Sequence, residues 1–539
     1  MSQNQETKRI AIVGSDLSGL FCAWALSHHS KHNVTVFEKS EQVLKSISTI
    51  DFLPPGIPEN CSLDFLPETY VPVDIKPFYF TNSLSPNLSN ILNELRVELK
   101  QTLINFGFSG WILNNEVSND SFQSSETKKH LNETQSIENE LASTQNFIED
   151  AENIPKNTRK IIKNNSLLPK RAIWIEWSSS SLTGLFNGIK NFLDIKFWRA
   201  LLDFYRLSLE VRKESLDSLS SKKNSLPIKL YLENKGYSTS FMEIFMFPII
   251  HCGTNNTDMN KAKQIPTWIA KCIFRRYLDH SMGPFFNKKI NVVKGGTSKL
   301  ITSLKECLLD IKYKTEITRV YKSQTENNSN QVILVDNNGS LHNFDVVIFA
   351  INPKKISKIL GNELTTKQND ILKSISFTRD RYVLHSDSVL LPSNPSTWST
   401  INSIQSTLQN KKASCVTIWG NKLLDIDINQ HGSIFVSINP TISPSPRTIV
   451  TERYYNQLDL STKKLKLLDL STELNSESIK FVGSSYSFNT LECGCYSGLK
   501  VAESLGAQLP FDLVIPEIFP KTVDKTVTSN IPNRIFMWF

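Results

Sequence analysis

Two glycines and one carboxylate near the N-terminus have the types and spacing that bind a dinucleotide. Gly14 and Gly19 follow the apolar run Ile10–Val13, and Glu38 follows a second apolar run, Val34–Phe37. In nucleotide-binding βαβ units, glycine allows a tight turn after the first strand, and the helix N-terminus faces a pyrophosphate. An acidic residue about 20 positions further on binds a ribose hydroxyl. The segment is therefore predicted to fold as strand, helix and strand around a dinucleotide site.

One residue departs from this fingerprint. Asp16 occupies the middle glycine position of G-x-G-x-x-G, where the backbone approaches the phosphates. Two like charges about 4 Å apart repel by roughly 4 kcal/mol at an effective dielectric near 20. Because aspartate tolerates left-handed backbone angles, the turn itself can survive. The sequence leaves two possibilities open: an occupied site, or a βαβ unit that keeps its fold without the ligand.

The elements that position these residues can be recognised from apolar periodicity. The helix after Gly14 begins with the small residues Ser18 and Gly19, which permit close approach to the sheet, and its next residues are apolar at helical spacing. An amphipathic helix is predicted for Ile91–Leu103, and a strand, a loop and a helix for Ile479–Leu505. Other strands are predicted at Lys314–Tyr321, Gln331–Val335, Phe344–Ala350, Ala413–Trp419 and Ser433–Ile438.

The chain is long enough for more than one domain. Its 539 residues exceed the usual size of a single core, and strand signals return after a mainly helical region at residues 166–290. Residues 114–165 are rich in Asn, Ser, Thr, Glu and Lys, so a disordered insertion is predicted there. The α/β alternation predicts a nucleotide-binding domain built from both ends of the chain, with a second domain inserted between them.

Composition excludes several classes of function. The net charge of +8 is spread along the chain, so nucleic acid is not an expected partner. No run of eighteen uncharged apolar residues predicts a transmembrane helix, and the N-terminus has no secretory signal. The eight scattered cysteines predict reduced thiols in the cytoplasm, with mitochondria as the alternative, and no metal site is expected.

Eight segments, taken in order, resemble the flavin-containing amine oxidoreductase superfamily. They are most similar to its branch of FAD/NAD-binding proteins that are found near cyclopropane-fatty-acid synthases in bacteria. Together they span most of the chain outside the polar insertion. The segments are Ile10–Glu38, Val71–Glu98, Tyr231–Ile250, Val292–Leu300, Asp345–Ile351, Tyr382–Leu391, Ile434–Pro440 and Phe481–Ala502.

The resemblance implies a fold, a cofactor and an activity. The fold would be a Rossmann-like FAD-binding domain with an inserted α+β substrate domain, as in amine oxidases and glutathione reductase. FAD-binding parts would be residues 1–80, 291–360 and 476–539, and substrate-domain parts 81–290 and 361–475. The protein would be an FAD-dependent oxidoreductase that transfers hydride from a small apolar or amine substrate to flavin.

The resemblance also implies roles for named positions. The pyrophosphate turn would be lined by Gly14, Ser15, Leu17, Ser18 and Gly19. Glu38 would hold the adenosine ribose, and the backbone of Ile317 would meet adenine. Gly483, Glu492 and Gly494 would lie near the second phosphate or the flavin. Purely structural roles remain open, because Gly483 could end a strand and Glu492 could cap the helix at Cys495–Leu505.

Three departures from the family concern this cofactor site. Besides Asp16, the Arg-x-Gly-Gly that usually follows the ribose-binding glutamate is replaced by residues 41–46, Glu-Gln-Val-Leu-Lys-Ser. Leu491 and Cys493 flank Glu492 where the branch often has His and Asp. All three changes weigh against FAD binding. A non-catalytic member that keeps the fold with weak or no FAD binding is therefore the alternative hypothesis.

Side chains that could act in catalysis are few. Lys299 follows Gly295 and Gly296, while His385 and His251 lie in or beside segments that resemble the family. A lone histidine in a strand is more often structural, and Lys299 fits a helix surface equally well. A flavin enzyme needs little acid–base chemistry from its side chains. An NAD-dependent dehydrogenase would need a second intact glycine fingerprint, and the sequence contains none.

Overall fold

The secondary structure was defined from a computed structural model. It describes residues 6–44, 49–53, 70–114, 170–214, 226–254, 259–277, 287–308, 310–324, 330–408, 411–460, 474–486 and 490–516. The strands are β1 (Arg9–Val13), β2 (Asn33–Phe37), β3 (Thr49–Phe52), β4 (Val71–Asp74), β5 (Tyr79–Phe80), β6 (Leu99–Ile104), β7 (Phe106–Asn114), β8 (Lys170–Ser178), β9 (Lys288–Val293), β10 (Ile311–Lys312), β11 (Ile317–Gln324), β12 (Asn330–Asp336), β13 (Leu341–Phe344), β14 (Val346–Phe349), β15 (Phe377–His385), β16 (Ile401–Leu408), β17 (Lys411–Trp419), β18 (Phe435–Ile438), β19 (Ile449–Leu458) and β20 (Ile479–Phe481).

The helices are α1 (Leu17–His29), α2 (Pro86–Glu94), α3 (Leu182–Leu185), α4 (Ile195–Lys213), α5 (Ile228–Asn234), α6 (Thr239–Phe241), α7 (Phe247–Thr254), α8 (Met259–Lys263), α9 (Thr267–Tyr277), α10 (Thr297–Glu306), α11 (Pro353–Leu360), α12 (Thr366–Ser374), α13 (Gly420–Leu424), α14 (Ile428–His431) and α15 (Leu491–Ser504). A π-helical turn, Met242–Met246, joins α6 to α7. Among the described residues, no helix combines the length and the apolar character needed to cross a bilayer.

A five-stranded parallel sheet forms the first unit, in the order β10-β2-β1-β14-β20. The central strand β1 is buried because both faces are covered, which explains its continuous apolar run. The two outer strands on one side, β14 and β20, come from much later in the chain. This arrangement confirms the predicted Rossmann-like unit assembled from both ends of the sequence.

A seven-stranded mixed sheet forms the second unit, in the order β19-β15-β18-β17-β16-β7-β8. Only its β16–β7 pair is parallel. Aromatic rings fill the adjoining helical layer, where Phe245 lies 5.6 Å from Phe197 and 5.4 Å from Phe204, measured between ring centroids. The α/β class with an inserted α+β unit is therefore confirmed.

The single helix predicted for Ile91–Leu103 is wrong. Helix α2 ends at Glu94, and Arg96 adopts a left-handed backbone with φ of +52°. The chain then enters β6, which pairs antiparallel with β9. Pairing with β9 thus makes the second half of this segment a strand, although its apolar residues recur at helical spacing. The insertion predicted at residues 114–165 lies outside the described residues, apart from Asn114.

Candidate functional site

The turn after β1 requires glycine. Gly14 has φ of +96°, and its N–H donates to the carbonyl of Phe37 at 2.9 Å. A β-carbon at this position would lie only 2.5 Å from the carbonyl oxygen of Ala350, at the end of β14. The turn therefore sits at the carboxyl edge of the parallel sheet, between β2 and β14, where open α/β sheets bind their ligands.

Asp16 caps helix α1 with its own side chain. Its backbone is extended rather than left-handed, and its Oδ1 accepts a hydrogen bond from the Gly19 N–H at 2.9 Å. Burial raises the pKa of this carboxyl to about 7, against a lowering effect of the backbone N–H groups of Gly19 and Ser18. The carboxyl thus occupies the helix N-terminus, which is the position that attracts a phosphate in nucleotide-binding proteins.

Glu38 stands beside the turn, at the end of β2. Its Oε2 accepts a hydrogen bond from the Ser15 hydroxyl at 2.5 Å, and its Oε1 accepts one from the Ser40 N–H at 2.8 Å. The Leu44 N–H in turn donates to Ser15 Oγ at 3.1 Å. The structure therefore brings Ser15 and Glu38 together, with both residues buried in a local hydrogen-bond network.

Small residues let helices α1 and α15 pack closely. A β-carbon at Gly494 would lie 2.9 Å from Ser18 Oγ, and one at Gly498 would lie 2.3 Å from the Ser18 carbonyl oxygen. At Gly19, a β-carbon would lie 2.5 Å from the β-carbon of Ala350. Gly498 was not among the predicted residues, although its position one helical turn after Gly494 is a signal for helix packing. Leu17 opens α1 and is half-buried.

Glu492 links two helices. Its buried carboxylate accepts hydrogen bonds from the N–H and side-chain amide of Asn87, at 3.1 and 2.6 Å, and from the N–H of Leu88 at 3.1 Å. It therefore caps α2. The alternative that Glu492 caps its own helix is wrong, because α15 begins at Leu491 and Thr490 is its N-cap.

Gly483 and Ile317 lie on two further segments that meet the first unit. Gly483 follows β20 with φ of +155°, and its N–H donates to Ser497 Oγ at 3.2 Å. Ile317 is buried at the start of β11. Just before it, the Thr315 N–H donates to the Glu38 carbonyl at 3.0 Å. The predicted residues thus come from strands and helices that converge on the carboxyl edge of the sheet.

The remaining candidates occupy structural positions. His385 is fully buried in β15, where Nε2 lies 2.8 Å from Ser437 Oγ and burial lowers its pKa to about 4. His251 is also buried, with Nδ1 3.0 Å from Ser403 Oγ. Lys299 lies on the exposed surface of α10. Among the described residues, no three His, Cys, Asp or Glu side chains lie close enough together to hold a metal ion.

A buried polar cluster lies where the segment after β4 meets the large sheet. The rings of Tyr382 and Tyr455 pack edge to face at 4.9 Å, and Lys76 Nζ lies 5.9 Å from the centre of the Tyr455 ring. Burial lowers the pKa of Lys76, and nearby Asp380 partly offsets this. The Tyr382 hydroxyl has no hydrogen-bond partner among the described residues. Sequence reasoning missed this cluster, although Asp380 and Tyr382 share one face of a strand.

A small cavity of about 10 Å³ lies close by, between the β4 segment and the internal strands β17 and β18 of the large sheet. Its one carboxylate, Asp74, is engaged, because it accepts hydrogen bonds from the hydroxyls of Thr49 and Thr297 at 2.6 and 2.5 Å. The remaining lining is apolar apart from backbone groups. It consists of Val73, Asp74, Pro77, Phe78, Val292, Val293, Ile418, Gly420, Leu423, Leu424 and Val436.

Comparison with known proteins agrees with this geometry. Residues 12–95 match the NAD(P)-binding Rossmann-like domain family. A search of curated protein sequences gives no match.

Solved structures share the fold of nearly the whole chain. Putrescine oxidase bound to putrescine has a TM-score of 0.52 at 12% identity, covering 93% of this chain and 100% of that one. Cyclohexylamine oxidase from Brevibacterium oxydans has a TM-score of 0.51 at 12% identity, covering 93% and 99%. A fatty acid isomerase from P. acnes has a TM-score of 0.52 at 10% identity, with the same coverage. The chain therefore has the two-domain fold of the amine oxidases.

Proposed function

We propose that this protein binds FAD and acts as an oxidoreductase of the amine-oxidase type on a small apolar or amine substrate. The observation that carries the proposal is the tight turn at Gly14, which lies at the carboxyl edge of the parallel sheet with Glu38 beside it. The amine-oxidase fold over 93% of the chain supports the same conclusion. When bound, the flavin would accept a hydride from the substrate.

The residues present fit a dinucleotide, provided that the Asp16 carboxyl is neutral when the dinucleotide binds. The pyrophosphate would lie at the α1 N-terminus, against the backbone of residues 14–19, and the ribose would lie near Glu38. Ile317, Gly483 and Gly494 would offer backbone at the adenine and flavin ends, whereas the Glu492 carboxylate is engaged with α2. Because the pKa of Asp16 is about 7, its neutral form is accessible near neutral pH. That form does not repel a phosphate, and its O–H can donate to one.

The inserted unit supports the proposed class of substrate. Apart from Asp74, the side chains that line the cavity beside β17 and β18 are apolar. No disulfide bond joins the cysteines that the structure describes, which supports a reducing compartment such as the cytoplasm.

The absorbance spectrum of the purified protein tests this proposal. We expect flavin bands in the protein as isolated or after incubation with FAD and gel filtration, and bleaching of those bands by dithionite. The variant Asp16→Gly restores the usual glycine and should retain at least as much flavin. A spectrum without flavin bands in the wild type and the variant alike would contradict the proposal.

A second candidate is a non-catalytic protein that keeps the fold. It is favoured by the internal hydrogen bonds of the site, because Asp16 fills the α1 N-terminus and Glu38 is bonded to Ser15 and Ser40. Under this hypothesis Asp16→Gly gains flavin, whereas the wild type stays colourless after incubation with FAD. The same spectra therefore separate the two candidates.

A further inference from the structure

Helix α4 carries apolar side chains on both of its sides. Phe197 and Phe204 face the core and are buried. On the opposite side, Ile195 is 84% exposed and Leu202 is 66% exposed. Trp198 and Tyr205 complete an outward stripe at intervals of three and four residues, which is the spacing of one helical face. An amphipathic surface helix normally has a polar outer face, so this stripe needs an explanation.

The chain just before α4 extends the stripe into a patch. Ile189 is 72% exposed and Leu193 is 74% exposed, Phe192 precedes Leu193, and the exposed Leu182 lies seven positions before Ile189. We define the outer apolar face as Leu182, Ile189, Phe192, Leu193, Ile195, Trp198, Leu202 and Tyr205. Eight of the twenty large apolar side chains that are exposed among the described residues thus fall between positions 182 and 205. Such clustering marks an interaction surface, whereas single exposed apolar residues do not.

The polar groups of this segment already have partners. The Trp198 indole N–H donates to the Phe192 carbonyl at 2.8 Å. The Asn191 side-chain amide donates to the carbonyls of Leu185 and Glu176 at 2.9 and 2.7 Å. The loop backbone is bonded within itself, as in the Leu193 N–H to Ile189 carbonyl bond of 3.3 Å. Moving this face out of water therefore leaves few unsatisfied donors, which keeps the cost of desolvation low.

The charges around the face are predominantly basic. Lys190, Lys196, Arg199 and Arg206 are all exposed. Of the two acids in the same stretch, Asp203 is buried and forms an ion pair with Arg199, with 3.6 Å between Nε and Oδ2. Asp194 is half-buried and caps α4 by accepting from the Lys196 N–H at 2.8 Å. Apolar and aromatic side chains with a basic rim fit the interface of an anionic lipid bilayer.

We propose that the outer apolar face docks this protein onto the surface of an anionic phospholipid membrane. The most exposed side chains, Ile189, Leu193 and Ile195, enter the acyl boundary, and the basic residues meet the lipid headgroups. The contact is peripheral, so no part of this face crosses the membrane. It stands independently of flavin binding, because none of its residues belongs to the candidate cofactor site.

Vesicle co-sedimentation of the full chain tests the proposal. We expect the protein to pellet with vesicles of phosphatidylcholine and phosphatidylserine, and less with phosphatidylcholine alone or in high salt. The double variant Ile195→Asp with Leu202→Asp should reduce the partition coefficient by about tenfold or more, because two apolar contacts are replaced by charges that the bilayer repels. Both positions are exposed, so circular dichroism and thermal unfolding should match the wild type.

The control is Leu341→Asp, which places the same charge at an apolar side chain that is 63% exposed on β13. It should bind vesicles like the wild type. Absence of wild-type binding to the mixed vesicles would overturn the proposal, as would equal binding by the double variant. Sedimentation velocity supplies a further check: a wild-type dimer that the double variant abolishes would assign the face to a second copy of this chain instead.

Discussion

At the scale of single residues, Asp16 decides what the nucleotide-binding turn can do. Its carboxyl accepts the Gly19 N–H and so fills the position that a phosphate takes at a helix N-terminus. Burial raises its pKa to about 7, so protonation near neutral pH can remove the charge. A residue that looks like a defect in the fingerprint is therefore an internal cap with an accessible neutral form.

Sequence spacing was sufficient to locate Gly14 and Glu38, because the turn and the end of β2 are fixed by local pattern. It could also have suggested Asp16 as a cap, since aspartate is favoured at helix N-termini. The direction of the Asp16 carboxyl could not be read from the sequence, because the hydrogen bond from the Gly19 N–H that fixes it is visible only in the structure. The Tyr382 and Lys76 cluster was likewise out of reach, because it joins segments about 300 positions apart.

Replacing Gly14 by alanine should destabilise the protein more than the same change at Gly339. Both glycines have positive φ, +96° and +81°, so both variants carry backbone strain of about 1 kcal/mol. Only at Gly14 does the new β-carbon also clash, at 2.5 Å from the Ala350 carbonyl oxygen, which should add about 1–3 kcal/mol. Denaturant unfolding of the two variants measures the difference. Equal losses of unfolding free energy in the two variants would show that Ala350 does not restrict the side chain at position 14.

At the scale of elements, Glu492 joins the C-terminal helix α15 to α2. Its carboxylate accepts three hydrogen bonds from residues 87 and 88, at the start of α2. Sequence similarity placed Glu492 near a cofactor, whereas the structure gives its carboxylate a structural partner. The sequence could not reveal this contact, because the two helices lie about 400 positions apart along the chain.

Glu492→Ala should lower the free energy of unfolding by about 3 kcal/mol, since it leaves buried donors without an acceptor. Glu492→Gln keeps one acceptor oxygen and should give an intermediate loss. The control is Glu503→Ala on the exposed side of the same helix, which should stay within about 0.5 kcal/mol of the wild type. Thermal or urea unfolding provides the comparison, and a neutral Glu492→Ala would refute the bridging role.

Elements with clear periodicity were predicted well, and elements decided by pairing were not. The apolar runs of β1, β2 and β14 are visible in the sequence because a buried parallel strand is apolar throughout. Leu99–Ile104 reads as the end of a helix, yet it is a strand because β9 pairs with it. The amphipathic pattern near residue 91 does correspond to a helix, but that helix ends before Arg96, which has a left-handed backbone.

At the scale of the whole molecule, two sheets are assembled from segments that alternate along the chain. The chain shares the amine-oxidase fold with putrescine oxidase at 12% identity, so this arrangement of strands and helices tolerates replacement of most side chains. The outer apolar face lies outside both the parallel sheet and the candidate site. The proposed flavin chemistry and the proposed membrane contact can therefore be tested by separate mutations.

Calorimetric titration with FAD at pH 6 and pH 8 tests the central claim, that a dinucleotide binds beside Asp16. Binding an anion favours the neutral carboxyl, so affinity should rise as pH falls through the Asp16 pKa of about 7. If only the neutral form binds, the wild type should bind about tenfold more tightly at pH 6 than at pH 8. Asp16→Asn, which keeps a capping oxygen but does not titrate, should bind equally at both. No binding heat at either pH, or an affinity that rises with pH, would contradict the account.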